Sequence, residues 1–394
     1  MFLQSFSLLV KRIFVVATLI SLASGVTWAG SYKVLHTFGQ LANTPSSGLV
    51  LDAAGNAYGT TAKGGYNNAG TVYQLSPTTG FHIVYAFSGH PDGRTPQGNV
   101  VFDSAGNIYG TTVSGGAFTN CNSGLGCGTV FRLTPPKNGG LWTETVLYNF
   151  TGGVDGSSPQ AGVILDAVGN LYGTTAFGGA LGAGVIFQVM PSGNTWTENV
   201  LYTFTGGDGD GGFLQGGLIF DTDGNLHGMS GATVFELSPS GEQWVFNVIH
   251  AFNPKQGDGA GAAAGLTFDS TGNLYGTTTF GGEFGFGTVF ELTNDSGTWT
   301  ETILHSFASG RDGASPQASL TLDASGNLYG TTQQGGGQNN LGTVFKLQQD
   351  NGAWQELLFR FQPNQGGRPT TPLLLDSAGR IYGTAPGVVF RITP

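Results

Sequence analysis

The sequence predicts an all-β fold, a seven-bladed β-propeller with four antiparallel strands per blade. Three observations carry that reading: a seven-fold internal repeat, four strand-like segments in each unit, and glycines gathered at turns. The repeat is plainest at Leu165-Asp166-Ala167-Val168-Gly169-Asn170-Leu171-Tyr172-Gly173-Thr174-Thr175. Its relatives begin at Asp52, Asp103, Asp221, Asp269, Asp323 and Asp376, and with Asp166 the steps are 51, 63, 55, 48, 54 and 53 residues. A period of about 50 residues marks a repeat array such as a propeller.

The third unit shows the four segments best: Thr145 to Phe150, Gly162 to Asp166, Asn170 to Thr175 and Val185 to Val189. All are short, β-branched or aromatic, and bounded by Gly, Pro, Asn or Asp, which is the strand signature; none has helical periodicity. Seven units of four strands make seven blades. Glycine is abundant, 69 of 394 residues, but aromatics at 12% and charged residues at only 10% are the opposite of a disordered composition.

Connection types assign the strands. Asp-x-x-Gly-Asn reads as a tight hairpin, with Gly free to take φ > 0 and Asp able to bond to turn amides. A second turn precedes Trp-Thr-Glu, as at Trp142, Trp196 and Trp299. The longest regular link, Phe150 to Pro159 in one unit, crosses from the outer strand of one blade to the inner strand of the next. The chain opens on an outer-type strand, Val34 to Phe38, and ends on a third-type strand, Val388 to Ile392. The N-terminal strand is therefore expected to pair with the last blade and close the ring, which removes an open edge. Unit four departs from the pattern, with His227 for Tyr, Met229-Ser230 for Thr-Thr, a shortened Ser230-Gly231-Ala232 loop and the incoming link Gly206 to Phe213.

Residues 1–29 read as an export signal: Lys11-Arg12, an apolar run from Ile13 to Ala23, then Thr27-Trp28-Ala29. That run is too short for a bilayer span, which wants roughly 20 residues, and no later segment is long enough. The expected mature chain is one propeller domain, 30–394, periplasmic or extracellular and monomeric. Its formal charge goes from −10 to −12 once Lys11 and Arg12 are removed, which argues against nucleic acid as a partner. Cys121 and Cys127, an even and closely spaced pair in an exported chain, are expected to form a disulfide.

No nucleophile elbow, phosphate loop, dinucleotide fingerprint or His-Glu-x-x-His is present. His36, His250 and His305 occupy a slot held elsewhere by Tyr85, Tyr148, Tyr202 and Phe359, so they read as packing residues, and no zinc pattern emerges. The seven turn aspartates invite a Ca²⁺ reading, but an Asp that recurs in every unit points to a repeated structural job. Alternate connections of an up-and-down blade share a face, so the Gly-Gly loops and the interblade Asp-Gly links are expected on one side. Asp92, Asp155, Asp210, Asp258 and Asp312 fall there, with Tyr66, Phe118, Phe177, Phe280, Phe284 and Phe286. Irregular loops on a rigid scaffold are where binding usually resides, so these are the candidate ligand-binding residues.

Gly-Asn-Leu-Tyr-Gly-Thr-Thr, Gly-Gly, Gly-Thr-Val-Phe-x-Leu, Trp-Thr-Glu-Thr-Val-Leu-Tyr-x-Phe and Gly-Gly-x-Asp-Gly together resemble the GloVer tandem repeat of bacterial exported, choice-of-anchor repeat proteins. The resemblance covers nearly the whole mature chain. It implies a surface-associated or secreted repeat protein and supplies no catalytic residues; the chain stops at Arg391-Ile392-Thr393-Pro394 with no recognisable C-terminal anchor. The functional expectation is a non-enzymatic binding or scaffold propeller at the cell envelope, for a glycan or another surface protein. The competing expectation is a carbohydrate-active enzyme, a lyase or glycoside hydrolase with carboxylates at the axial mouth. A third is a scaffold stabilised by Ca²⁺.

Overall fold

The computed structural model describes residues 26–27, 30–39, 42–137, 139–207, 209–262 and 264–394. Of the stretch read as an export signal, all but Val26 and Thr27 lies outside the described residues. Seven sheets form a ring of blades, each running from a two-residue inner strand to a long outer one. Blade 3 is representative: Ile164–Leu165, Leu171–Thr174, Val185–Ser192 and Thr195–Thr203 pair antiparallel in that order. Among the described residues the helical elements are two single 3₁₀ turns, Asn122–Gly124 and Pro254–Gln256.

The Tyr-Gly-Thr-Thr strand shows why the repeat is written as it is. Leu171 and Tyr172 are buried, and Gly173 faces Phe187 on the third strand. A Cβ on Gly173 would sit 2.5 Å from Phe187 Cζ, so the glycine makes the space that the ring fills. The first Thr then reaches the next blade. Thr111 donates to Ala161 O, Thr174 to Gly216 O, Thr277 to Ala318 O and Thr331 to Thr371 O. In blade 4 Met229 takes that place and instead packs with Ala262, Ala264 and Leu266 of blade 5.

Hydrophobic clusters lie between blades rather than within them: Tyr109, Val130, Leu147 and Phe150 of blade 2 meet Val163, Leu171 and Phe187 of blade 3 in one core. Neighbouring blades therefore hold each other up, and the ring has to be closed. Ser31–Thr37 does this, pairing antiparallel with Val388–Thr393 as the outer strand of blade 7. Thr384 Oγ1 donates to Ser47 O across the same seam, 3.0 Å away. Val26–Thr27 adds a short parallel pairing to the outer strand of blade 6 at Leu357 and Leu358.

Outer strands carry a β-bulge in blades 1 to 5 and in blade 7, whereas blade 6 has none. The cause is in the sequence: Trp354 to Phe359 is one residue shorter than Trp142 to Tyr148, and the missing residue is the one that would bulge.

Candidate functional site

The inner strands converge on an axial cavity of about 1040 Å³. Its wall begins with the ends of the interblade links, which deliver Gln97, Gln160, Gln215 and Gln317, with Asn99, Ser319 and Thr370, to the axis. Close packing of the strands behind them depends on glycine; a Cβ on Gly98 would stand 2.1 Å from Gly162 N. Asn99 Oδ1 accepts from Gly48 N at 2.8 Å, tying blade 2 to blade 1. Phe213 and Phe280 complete the lining, and no Asp, Glu, His, Lys, Arg or Tyr contributes to it among the described residues. The cavity can therefore exchange hydrogen bonds through amides, hydroxyls and backbone and offer aromatic faces, but it holds no group able to move a proton at neutral pH.

The Gly-Gly loops and the interblade links do share one face. In five blades the link pairs with the Gly-Gly loop: Ala42 with Gly64, Gly93–Arg94 with Ser114–Gly115, Ser157 with Phe177, Gly259–Ala260 with Phe280–Gly281, and Gly313 with Gly335. Tyr66 stands 96% exposed at a loop tip, and Phe118, Phe177, Phe280, Phe284 and Phe286 are all exposed. Phe177 is packed edge-to-face with Phe213, ring centroids 5.8 Å apart, and Phe213 and Phe280 line the cavity together. Phe286 is tied by its backbone, its carbonyl accepting from Ser315 N. Phe213 is the residue that sequence reasoning missed as a candidate, although it ends the unusual link from Gly206. Cys121 and Cys127 are disulfide-bonded, and the bridge lies against the link at Gly152, where a Cβ would meet Cys121 Sγ at 2.3 Å.

The link aspartates are engaged by their own loops. Asp155 accepts from Tyr148 Oη at 3.0 Å and Thr151 N at 2.7 Å; Asp210 accepts from Tyr202 Oη and Thr205 N, both at 2.9 Å. Asp92 accepts from Tyr85 Oη and Ser88 N, Asp258 from Asn253 N, and Asp312 from Ala308 N and Gly313 N. None of the five lines the cavity. At the opposite face each turn aspartate is similarly filled: Asp103 accepts from the backbone of Ala105 and Asn107, from Asn107 Nδ2 and from Tyr109 Oη. Burial alone would raise its pKa, but these donors outweigh it and hold the carboxyl below the usual range.

Linear sequence hid the rim between blades. The Tyr/His slot of one outer strand faces the third position of Trp-Thr-Glu on the next. Tyr85 meets Glu144, Tyr148 meets Glu198, His250 meets Glu301 at 3.7 Å, and His305 meets Glu356 at 3.5 Å. At the other three junctions rings stack instead: Tyr202 on Phe246 at 4.0 Å, Phe359 on Tyr32 at 5.3 Å and His36 on Phe81 at 3.8 Å. Burial, with Asp92 or Asp155 close by, pushes the carboxyls of Glu144 and Glu198 up to about 7. Burial and Asp312 push Glu356 up to about 9. His227, deep in blade 4, does the work of the Tyr it replaces, its Nε2 lying 3.1 Å from Asp221 Oδ2.

The chain belongs to the Gloeobacter/Verrucomicrobia repeat family, whose model matches residues 21–232 and 229–394. No curated protein matches it in sequence. Among solved structures it is similar to a streptogramin B lyase, at 14% identity and a TM-score of 0.59 over 92% of this chain and 97% of that one. A candidate 6-phosphogluconolactonase from Bacteroides uniformis also aligns at 14% identity, TM-score 0.53, over 86% of this chain and 89% of that one. The third similar structure is PorZ, a surface component of the type-IX secretion system of Porphyromonas gingivalis. It shares 14% identity and a TM-score of 0.55 over 89% of this chain, which spans 46% of PorZ. Such likenesses establish the propeller and nothing about its chemistry.

Proposed function

We propose that this protein is an exported, non-enzymatic binding propeller of the cell envelope that takes an uncharged, hydroxyl-rich ligand, a neutral glycan, at the axial mouth of its irregular-loop face. The observation that carries the reading is the makeup of the cavity: amide and hydroxyl side chains, exposed backbone and Phe213 with Phe280, without an ionisable group among the described residues. Sugar hydroxyls pair with amides, and the C–H faces of a pyranose pack on aromatic rings. Glycoside hydrolysis needs two carboxyl groups flanking the bond. The carboxylates of this face are committed to their own loops instead, so binding is favoured over the lyase or hydrolase reading. Export accords with the repeat family, the disulfide and the apolar leader.

The test is calorimetric titration of the purified protein with neutral, uronic-acid and amino-sugar oligosaccharides. The expected result is saturable binding of a neutral class, weakened about tenfold in Phe213→Ala or Phe280→Ala; tenfold is about 1.4 kcal/mol. Binding confined to charged glycans, or indifferent to both substitutions, would overturn the proposal. Cleavage of a bound glycan would favour the enzyme.

A further inference from the structure

The geometry points to a divalent transition-metal site of the zinc class at the rim between blades 5 and 6, with His305 Nε2, Asp312 Oδ2 and Glu356 Oε1 as ligands. The three come from different places in the chain. His305 is on the outer strand of blade 5, Asp312 on the link that follows, and Glu356 on the outer strand of blade 6. His305 Nε2 lies 3.4 Å from Asp312 Oδ2 and 3.5 Å from Glu356 Oε1, and the ligand atoms of all three residues lie within 4.8 Å of one another. Bonds of about 2.0–2.1 Å to a tetrahedral ion put ligand atoms roughly 3.4 Å apart, close to these spacings.

Chemistry distinguishes this junction: Glu144, Glu198 and Glu301 also leave Oε1 without a partner, but only here, among the described residues, does the facing imidazole Nε2 lack one too. Glu356 has its side chain only 9% exposed, yet Oε1 has no hydrogen-bond partner, and neither has His305 Nε2. An unpaired buried carboxylate oxygen is costly, and a metal ion shared with the imidazole removes that cost. The mixed imidazole and carboxylate donor set suits zinc rather than calcium, which wants oxygen alone. His305 and Asp312 keep partial exposure, 21% and 19%, which leaves an entry path and a fourth position open to water. Arg360, four residues beyond Glu356, is the nearby opposing charge, and its Nε is turned to Arg311 O.

Two related clusters serve as internal comparators. At the preceding junction His250 Nε2 already donates to Asp258 Oδ2 at 3.2 Å, a bond that His305 Nε2 does not make, whereas the backbone occupies both aspartates alike, Asn253 N on Asp258 and Ala308 N on Asp312. In blade 4 Asp221 Oδ2 accepts from Asn225 Nδ2 and His227, so its capacity is used within the turn. In blades 1 to 3 the His slot holds Tyr, with Tyr148 donating to Asp155 beside Glu198. That arrangement supplies a variant which should fold: His305→Tyr recreates in blade 5 what blade 2 already contains.

The experiment is titration of the chelator-treated full-length protein with Co²⁺, read by visible absorption, and with Zn²⁺, read by equilibrium dialysis and thermal unfolding. Expected are the intense bands of four-coordinate cobalt and a Tm rise on the order of 3 °C at a hundred-fold excess of zinc over Kd. His305→Tyr should lose affinity by about 100-fold or more while unfolding cooperatively in chelator, and His250→Tyr should keep the site. No saturable binding by the wild type, or equal binding by His305→Tyr, would overturn the assignment. So would loss of binding on His250→Tyr alone.

Discussion

The axial and rim ends of the same blade junctions are stitched by opposite chemistry. Near the axis a Thr hydroxyl reaches a carbonyl of the next blade, as Thr174 does to Gly216 O, beside glycines that admit only backbone. At the rim the same neighbours meet through Tyr or His, Asp and Glu, or through stacked rings. Titratable groups are thus gathered at the rim, between adjacent outer strands, rather than at the axis. The difference accords with an axial cavity lined, among the described residues, by no ionisable group, while the titrating groups are displaced to the rim.

The sharpest way to break this picture is at the seam, where one strand makes the rim contacts to both neighbouring blades. Deleting Tyr32 to Phe38 removes the outer strand of blade 7 together with the stacks of Tyr32 on Phe359 and His36 on Phe81. Cooperative unfolding of the whole ring should be lost, as measured by calorimetry; an unchanged midpoint would mean that the ring does not depend on closure.

A smaller effect is expected at the axis. Thr174→Val preserves shape but leaves Gly216 O without its donor, at a cost of about 1–3 kcal/mol in denaturant unfolding. No loss would place the stability of the junction in its apolar cluster instead, as Met229 already does in blade 4.

The rim should respond to pH. Glu144, Glu198 and Glu301 have carboxyls raised to about 7 from 4.5, so the folded protein binds protons more tightly than the unfolded chain between those values. Their contribution to stability is therefore greatest below about pH 4.5 and is lost as pH rises through about 7. The turn carboxyls of Asp103 and Asp323, held below the usual range by their hydrogen-bond donors, act oppositely and withdraw stability in acid. Tm should climb from pH 8 towards 5 and fall again below 4. Glu198→Gln, measured by thermal unfolding, should flatten the upper limb slightly; an unaltered slope would remove Glu198 from the account.

Much of this architecture could be read in the chain because it repeats. Blade count and strand order follow from a local pattern seen seven times, the shared face of Gly-Gly loops and links from five of those units, and ring closure from the types of the first and last strands. The rim could not be read that way. His305 and Glu356 are 51 residues apart and meet only because adjacent outer strands run side by side. The signal was nonetheless present: the position after Trp-Thr is Glu at 144, 198 and 301, and Glu356 follows Trp354-Gln355, whereas Phe81, Phe246 and Tyr32 hold the equivalent place. Reading the Tyr/His slot of each unit against that position of the next would have exposed the pairs. Phe213 was hidden for another reason: it holds the left-handed link position that Thr95, Ser158 and Ser315 fill elsewhere, where the repeat predicts a small polar residue.

The most direct test of the division between a neutral axis and a charged rim is the salt and pH dependence of glycan binding. A ligand seated in the axial cavity should keep its Kd within about twofold between 0.05 and 0.5 M salt and from pH 5 to 8, because none of the described residues lining it carries a charge to be screened or titrated. A tenfold weakening over the same range would put the ligand on the rim and contradict the account.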